Sequence, residues 1–244
     1  ERAMKSDEAF RDFVDINTFK HKQPGYVAVT ISLKPIGGAP GDATSDQMRA
    51  LADLADANSL GELRVTHLQN IVLPYVKKDD VPALYAELKK YDLGTANVGL
   101  ITDIVACPGM DYCALATARS IPIAQDIAKR FADPDRQHLI GELGIKISGC
   151  INACGHHHIG HIGILGLEKS GEESYQITLG GDATENAAIG ERLGPGVTGD
   201  DVPETIERIV DIYLAERQHG ERFIDTYRRV GLDRFKGAIH VADA

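Results

Sequence analysis

The sequence predicts an α+β protein built of two units, and three observations carry that prediction. Runs rich in β-branched residues, such as YVAVTISL (Tyr26 to Leu33) and GIKIS (Gly144 to Ser148), alternate with segments whose apolar residues recur at helical spacing. Glycine- and proline-rich stretches, IGGAPGD and CPGMDYC among them, punctuate the alternation. All four cysteines fall in the second part of the chain, as two close pairs inside glycine-containing turns.

The first twenty residues are charged throughout, so they are no signal peptide, and residues 1–22 are expected to be an N-terminal extension or linker. Residues 23–94 are expected to form the first unit. YVAVTISL is its first strand, and Thr44 or Ser45 caps a helix with Met48, Leu51, Leu54 and Ala55 at helical spacing. GELRVTHLQNIVLPYV supplies one or two strands. DDVPALYAELKKYDLG supplies a second helix, capped by Asp79 or Asp80, with Gly94 past its end.

Residues 95–244 are expected to form the second unit. Its chain runs through CPGMDYC into a helix broken near Pro122, with Ile123, Ile127 and Phe131 on one side. GIKIS and HIGILGL are strands on either side of the second cysteine pair, and YQITL is a further strand before a glycine-punctuated loop. Val202, Ile206, Ile209, Val210, Tyr213 and Leu214 mark an amphipathic helix. The mixed charges of ERFIDTYRRVGLDRFK predict a largely solvated helix.

Composition narrows the function classes. A formal charge of −10 argues against a general nucleic-acid or anionic-membrane partner, so an anionic ligand must be held by local basic side chains. No apolar run approaches the roughly 20 residues that span a bilayer, and a cytoplasmic location is expected. The sequence begins at Glu1 rather than methionine, and a piece of a longer chain is expected.

Cys107 and Cys113 are spaced C-x5-C, and Cys150 and Cys154 are spaced C-x3-C. In a reducing compartment, four cysteines in a chain this long point to a soft metal rather than to a disulfide scaffold. Tetrahedral zinc and an iron–sulfur cube both use four thiolates, and zinc prefers closer pairs than C-x5-C. Inert core cysteines or a disulfide remain the bland alternatives.

C-P-G-x-x-x-C followed by G-C-x-N-x-C-G resembles the cluster signature of the sirohaem-containing nitrite and sulfite reductases. RVTHLQN (Arg64 to Asn70) resembles a strand of that family's ferredoxin-like half-domain, and LGGDATENAAIGERLGPGV resembles the loop after its cluster domain. The resemblance runs from about Gly25 almost to the end of the chain. It implies a ferredoxin-like βαββα half-domain followed by a mixed α/β domain that binds a [4Fe–4S] cluster and sirohaem. Cys107, Cys113, Cys150 and Cys154 would ligate the cluster, with Cys154 also bridging to the sirohaem iron. The implied activity is the six-electron reduction of nitrite to ammonia or of sulfite to sulfide, with ferredoxin or a flavoprotein as electron donor. A non-catalytic iron–sulfur electron-transfer module is the alternative.

Arg64, Thr66 and Asn70 share a face if LRVTHLQNIVL is one strand, and the resemblance makes them candidate partners of the sirohaem carboxylates. Asn152 matches a family position near the cofactor. Arg119 and Lys146 are basic neighbours of the cofactor or plain surface charges. His156, His157, His158 and His161 are expected to stay off the metal. Gly160, Gly163 and Gly166 would leave a bare strand surface for a flat macrocycle, and Gly180-Gly181 before Asp182 and Thr184 would make a tight turn.

The family's chains are about twice this length, with two related halves around one sirohaem, and this sequence resembles the second. Its catalytic residues are therefore unassigned. The chain is expected to be inactive alone and to need the N-terminal half of the same enzyme or a second copy of itself.

Overall fold

The structure is a computed structural model and describes residues 7–239. It divides after Val98 into two compact units, each with its own core. Residues 1–6 of the expected extension lie outside the described residues.

In the first unit, helix α1 (Glu8–Asn17) leads into strand β1 (Thr18–Lys20). Strand β2 (Tyr26–Ile31), helix α2 (Ser45–Asn58), strands β3 (Arg64–Val65) and β4 (Ile71–Lys77) and helix α3 (Val81–Lys89) then give the βαββα order. The sheet is antiparallel throughout, in the order β1-β2-β4-β3. Residues 8–20 are therefore no free extension. Phe10 and Phe13 are buried against the same core as Leu73 and Leu84, and β1 is an edge strand of the sheet. Burial of a phenylalanine contributes about 1.5–3 kcal/mol, enough to anchor a short helix that isolated propensity would not hold.

Thr44 and Gln47 close a reciprocal capping box at the start of α2. The buried stripe of that helix is Ala50, Leu51 and Ala55, whereas Met48 is exposed. Neither Asp79 nor Asp80 caps α3. They lie in a 3-10 turn, and Pro82 in the first helical turn supplies the start.

The second unit is a five-stranded mixed sheet in the order β5-β6-β7-β8-β9. Strands β5 (Val105–Ala106), β6 (Ile145–Ser148) and β7 (Ile162–Lys169) are parallel. Strands β8 (Glu172–Leu179) and β9 (Glu191–Arg192) add on antiparallel. Helices α4 (Ile121–Arg130), α5 (Pro134–Ile140), α6 (Val202–Glu216) and α7 (Phe223–Val230) complete it. Ile145, Ile147, Ile162, Ile164 and Ile177 share one core with Ile123 and Ile127 of α4 and with Ile206, Ile209 and Tyr213 of α6.

Two expectations change here. Pro122 does not break a helix but sits in the first turn of α4, where its missing N–H costs nothing. The segment expected as a solvated helix buries Phe223, Ile224, Tyr227 and Phe235, because these recur on one face between the charges. No helix among the described residues is long and apolar enough to cross a membrane.

Candidate metal centre

The geometry that joins the cysteine pairs begins with two neighbouring strands. Cys107 follows directly on β5 and Cys150 follows β6 after one glycine, and β5 and β6 are parallel neighbours. Both loops therefore leave the same carboxyl end of the sheet, the end at which open α/β sheets place their ligands. Cys107 N–H continues the ladder onto Ile147 O (3.1 Å), and Gly149 N–H donates to Cys107 Sγ (3.1 Å). Thr117 and Ala118, on the strand of loop after Cys113, both donate to Gly149 O (2.9 and 3.0 Å). Cys113 N–H is held by Gly109 O (2.9 Å), and Ser120 Oγ lies 3.4 Å from Cys107 Sγ.

The glycines of CPG and SGC exist for this crossing. A Cβ on Gly149 would come within 2.5 Å of Ala118 O and 2.9 Å of Gly109 Cα. Gly109 itself adopts φ +59° and leaves no room beside the Ser120 main chain. On the far side of the second pair, Gly155 N–H donates to Ser148 Oγ (3.1 Å), which folds the Cys150–Cys154 turn back over β6. The turn closes through main chain, Ala153 N–H to Cys150 O (3.2 Å) and His156 N–H to Ala153 O (2.7 Å). Ala153 and His156 both take left-handed backbone (φ 56° and 55°), a costly conformation for a residue with a side chain. The Asn152 side chain is exposed.

All four cysteines are free thiols: Cys107 and Cys150 buried, Cys113 half-buried, Cys154 exposed. Among the described residues no three His, Cys, Asp or Glu side chains converge as they would on a single ion. A zinc site demands such convergence, with sulfurs about 2.3 Å from one point. A cube spreads its irons, and so its ligands, over its corners. Thiolates on two loops, with a main-chain N–H aimed at sulfur and no side-chain bulk at the crossing, fit an iron–sulfur cluster.

Two of the four histidines, His157 and His161, are buried or partly buried, and His161 is bonded into the fold. His161 Nδ1 accepts Gly144 N–H (3.1 Å), and burial holds its pKa below the usual range. His157 is buried and stacks on His158 at 4.0 Å between ring centres. Burial first, and then the His158 charge, push its pKa down to about 4. The bare strand surface expected at the glycines is filled by the protein itself. A Cβ on Gly163 would meet His157 O at 2.1 Å, and one on Gly166 would meet Ala118 Cβ at 2.6 Å. Close chain crossings, not a macrocycle, explain both.

The other expected residues are distributed as follows. Lys146 is not a surface charge but buried on β6, whereas the Arg119 side chain is mostly exposed. Arg119 N–H donates to Glu173 (2.9 Å), which also accepts the Tyr175 hydroxyl (2.5 Å). Asp182 is buried and paired with Arg228 of α7 (2.8 Å), and it caps its own turn through Thr184 N–H (2.8 Å).

In the first unit, LRVTHLQNIVL is not one strand. Residues 66–70 turn between β3 and β4, so Arg64, Thr66 and Asn70 do not form a polar row. Arg64 is exposed, bonded to Glu62 (2.6 Å) and the Tyr75 hydroxyl (3.2 Å). Thr66 Oγ1 accepts the N–H groups of Leu68 (3.2 Å) and Asn70 (3.1 Å). Asn70 is buried, and its Oδ1 accepts Leu33 N–H (3.3 Å) and Lys34 Nζ (3.0 Å).

A mixed-sheet domain whose two cysteine loops leave the same carboxyl end of neighbouring parallel strands has the frame of an iron–sulfur protein, and comparison with known proteins gives the family. Residues 99–242 match the family model described as the nitrite and sulphite reductase 4Fe-4S domain, and residues 19–91 match the nitrite/sulfite reductase ferredoxin-like half domain. The chain belongs to the nitrite and sulfite reductase family. It is 30% identical to sulfite reductase [ferredoxin] 2 of Mycolicibacterium paratuberculosis, over 82% of this chain and 38% of that protein. It is 29% identical to ferredoxin–nitrite reductase of Synechococcus elongatus over the same shares, 82% and 38%. The solved structure of Mycobacterium tuberculosis NirA protein superposes with a TM-score of 0.72 at 26% identity, covering 90% of this chain and 41% of that one. The chain thus spans about 38% of the length of these curated relatives. The cofactors this family membership points to are a [4Fe–4S] cluster and sirohaem.

Proposed function

We propose that this chain is the cluster- and sirohaem-bearing part of a reductase that carries nitrite to ammonia or sulfite to sulfide by six electrons. The observation that carries the reading is the meeting of the two cysteine loops at the carboxyl end of β5 and β6, joined by the 3.1 Å bond from Gly149 N–H to Cys107 Sγ. When bound, the cluster and sirohaem supply single-electron storage and the iron at which the anion is reduced. Cys107, Cys113, Cys150 and Cys154 would hold the cluster, and Cys154, the exposed one of the four, would also serve the sirohaem iron. Gly149 N–H would keep the Cys107 sulfur oriented, and the glycines let the two loops cross without side-chain bulk. Asn152, exposed in the Cys150–Cys154 turn, is a polar neighbour for the macrocycle. In the first unit, Thr66 and Asn70 order the turn that follows the exposed Arg64. Sulfite and nitrite reductases named for ferredoxin are among the relatives, and this supports ferredoxin as donor.

Full sirohaem binding and turnover require further chain, either an N-terminal half or a second copy. The test is anaerobic reconstitution with iron, sulfide and sirohaem, followed by iron and acid-labile sulfide analysis and EPR. Cube stoichiometry is expected, with cluster content falling severalfold in any Cys→Ser variant. Zinc, or iron without acid-labile sulfide, would refute the cluster. Rapid anion reduction by the monomer alone would refute the requirement for more chain.

A further inference from the structure

The sulfur of Cys107 has two hydrogen-bonding neighbours rather than one. Gly149 N–H donates to it at 3.1 Å, and Ser120 Oγ lies 3.4 Å away. Ser120 is wholly buried, 0% exposed, and occupies the N-cap position of α4. A serine at that position ordinarily turns its oxygen back to accept an N–H of its own helix. Here it makes no capping bond, and its hydroxyl faces the sulfur instead. The place is kept clear by both glycines of the crossing, since a Cβ on Gly109 or on Gly149 would come within 3.0 Å of Ser120 Oγ.

A thiolate on iron has no proton to give, so in the loaded protein the hydroxyl must be the donor. Hydrogen bonds to ligand sulfur draw negative charge away from a cluster and favour its more negative, reduced state. We propose that Ser120 sets the reduction potential of the cluster by donating its hydroxyl hydrogen to the Cys107 thiolate. The inference rests on the cluster assignment above. Ser120 touches neither substrate nor macrocycle in this role; it is a tuning residue that acts through a ligand. Among the described residues the exposed Cys154 sulfur has no such donor, so the adjustment is made at Cys107, one of the two buried cysteines.

Ser120→Ala removes the hydroxyl and no cap. In the cluster-loaded full chain, the variant is expected to keep its iron and acid-labile sulfide and its thermal midpoint. Its potential in an EPR-monitored redox titration becomes more negative, with the reduced-to-oxidised ratio at fixed ambient potential falling up to about tenfold, or about 59 mV for a one-electron couple. Ser120→Thr, which retains a hydroxyl, is expected to stay near the parent potential. An alanine variant with the parent potential overturns the proposal, as does a lowered thermal midpoint at unchanged potential, the behaviour of an ordinary cap. If Ser120→Ala assembles no cluster, resonance Raman of the parent decides, because a hydroxyl proton exchanges far faster than the buried Gly149 N–H. A prompt shift of an iron–cysteine stretch in D2O supports the donor, and no prompt shift overturns it. A parent chain without cluster would instead overturn the function proposed above.

Discussion

Gly155 sits where a methyl group would be driven to within 1.8 Å of Ile147 O, a main-chain atom that no side-chain rotation can move. Gly155→Ala is therefore expected to destabilise the chain by at least the about 1–3 kcal/mol of ordinary overpacking, read as a lowered urea midpoint, and to loosen the turn that carries Cys154. His157 and His161 make stability depend on pH. Burial lowers both pKa values in the folded chain, that of His157 to about 4, while the unfolded chain titrates near about 6.5. Between those values the unfolded state binds more protons, so stability is complete above about 6.5 and is lost as pH falls toward about 4. Thermal melts from neutral pH downward are expected to show that fall, and His157→Gln is expected to flatten it. Little of this was visible in HHH, which suggests ligands or surface. The spacing says nothing of which ring is covered by the chain's own turn.

At the scale of elements, the loop after β8 is tied to α7 by the exposed Arg228 guanidinium, which meets the buried Asp182 carboxylate and Asn186 O. Burial pushes the Asp182 carboxyl up, but the Thr184 N–H and hydroxyl and the Arg228 guanidinium outweigh it and hold the pKa below the usual range. Arg228→Met leaves that carboxylate to its Thr184 bonds alone and, with the arginine partly exposed, is expected to cost about 1 kcal/mol, with much of the loss recovered by adding Asp182→Asn. A double-mutant cycle by chemical unfolding measures the coupling. The helix bearing Arg228 was foreseen as an element but not as part of the core. Its sequence alternates charges with Phe223, Ile224 and Tyr227, and charge content masks a narrow apolar stripe. The same limit hid α1, whose Phe10 and Phe13 lie among acidic residues.

For the whole molecule, the two units differ in what they need. All four cysteines, Gly149 and Ser120 lie in the second unit, which has its own core. Residues 99–244 expressed alone are expected to take up iron and sulfide in cube ratio, and failure of a folded second unit to do so would place part of the cluster's support in the first. The strong negative charge of the chain adds that any docked anion depends on local arginines, not on the overall field.

The sequence by itself determined the alternation of strands and helices and the two cysteine pairs in their glycine-containing turns, because helical and strand periods and turn chemistry are local properties. It could not place Cys107 beside Gly149, or turn Ser120 away from its own helix toward a sulfur. It also misassigned Gly163 and Gly166 to a macrocycle when they admit neighbouring chain. Those outcomes follow from β5 and β6 pairing as parallel neighbours, a contact between distant segments. Burial of the isoleucine core holds that pairing together, and the linear spacing of residues does not encode it.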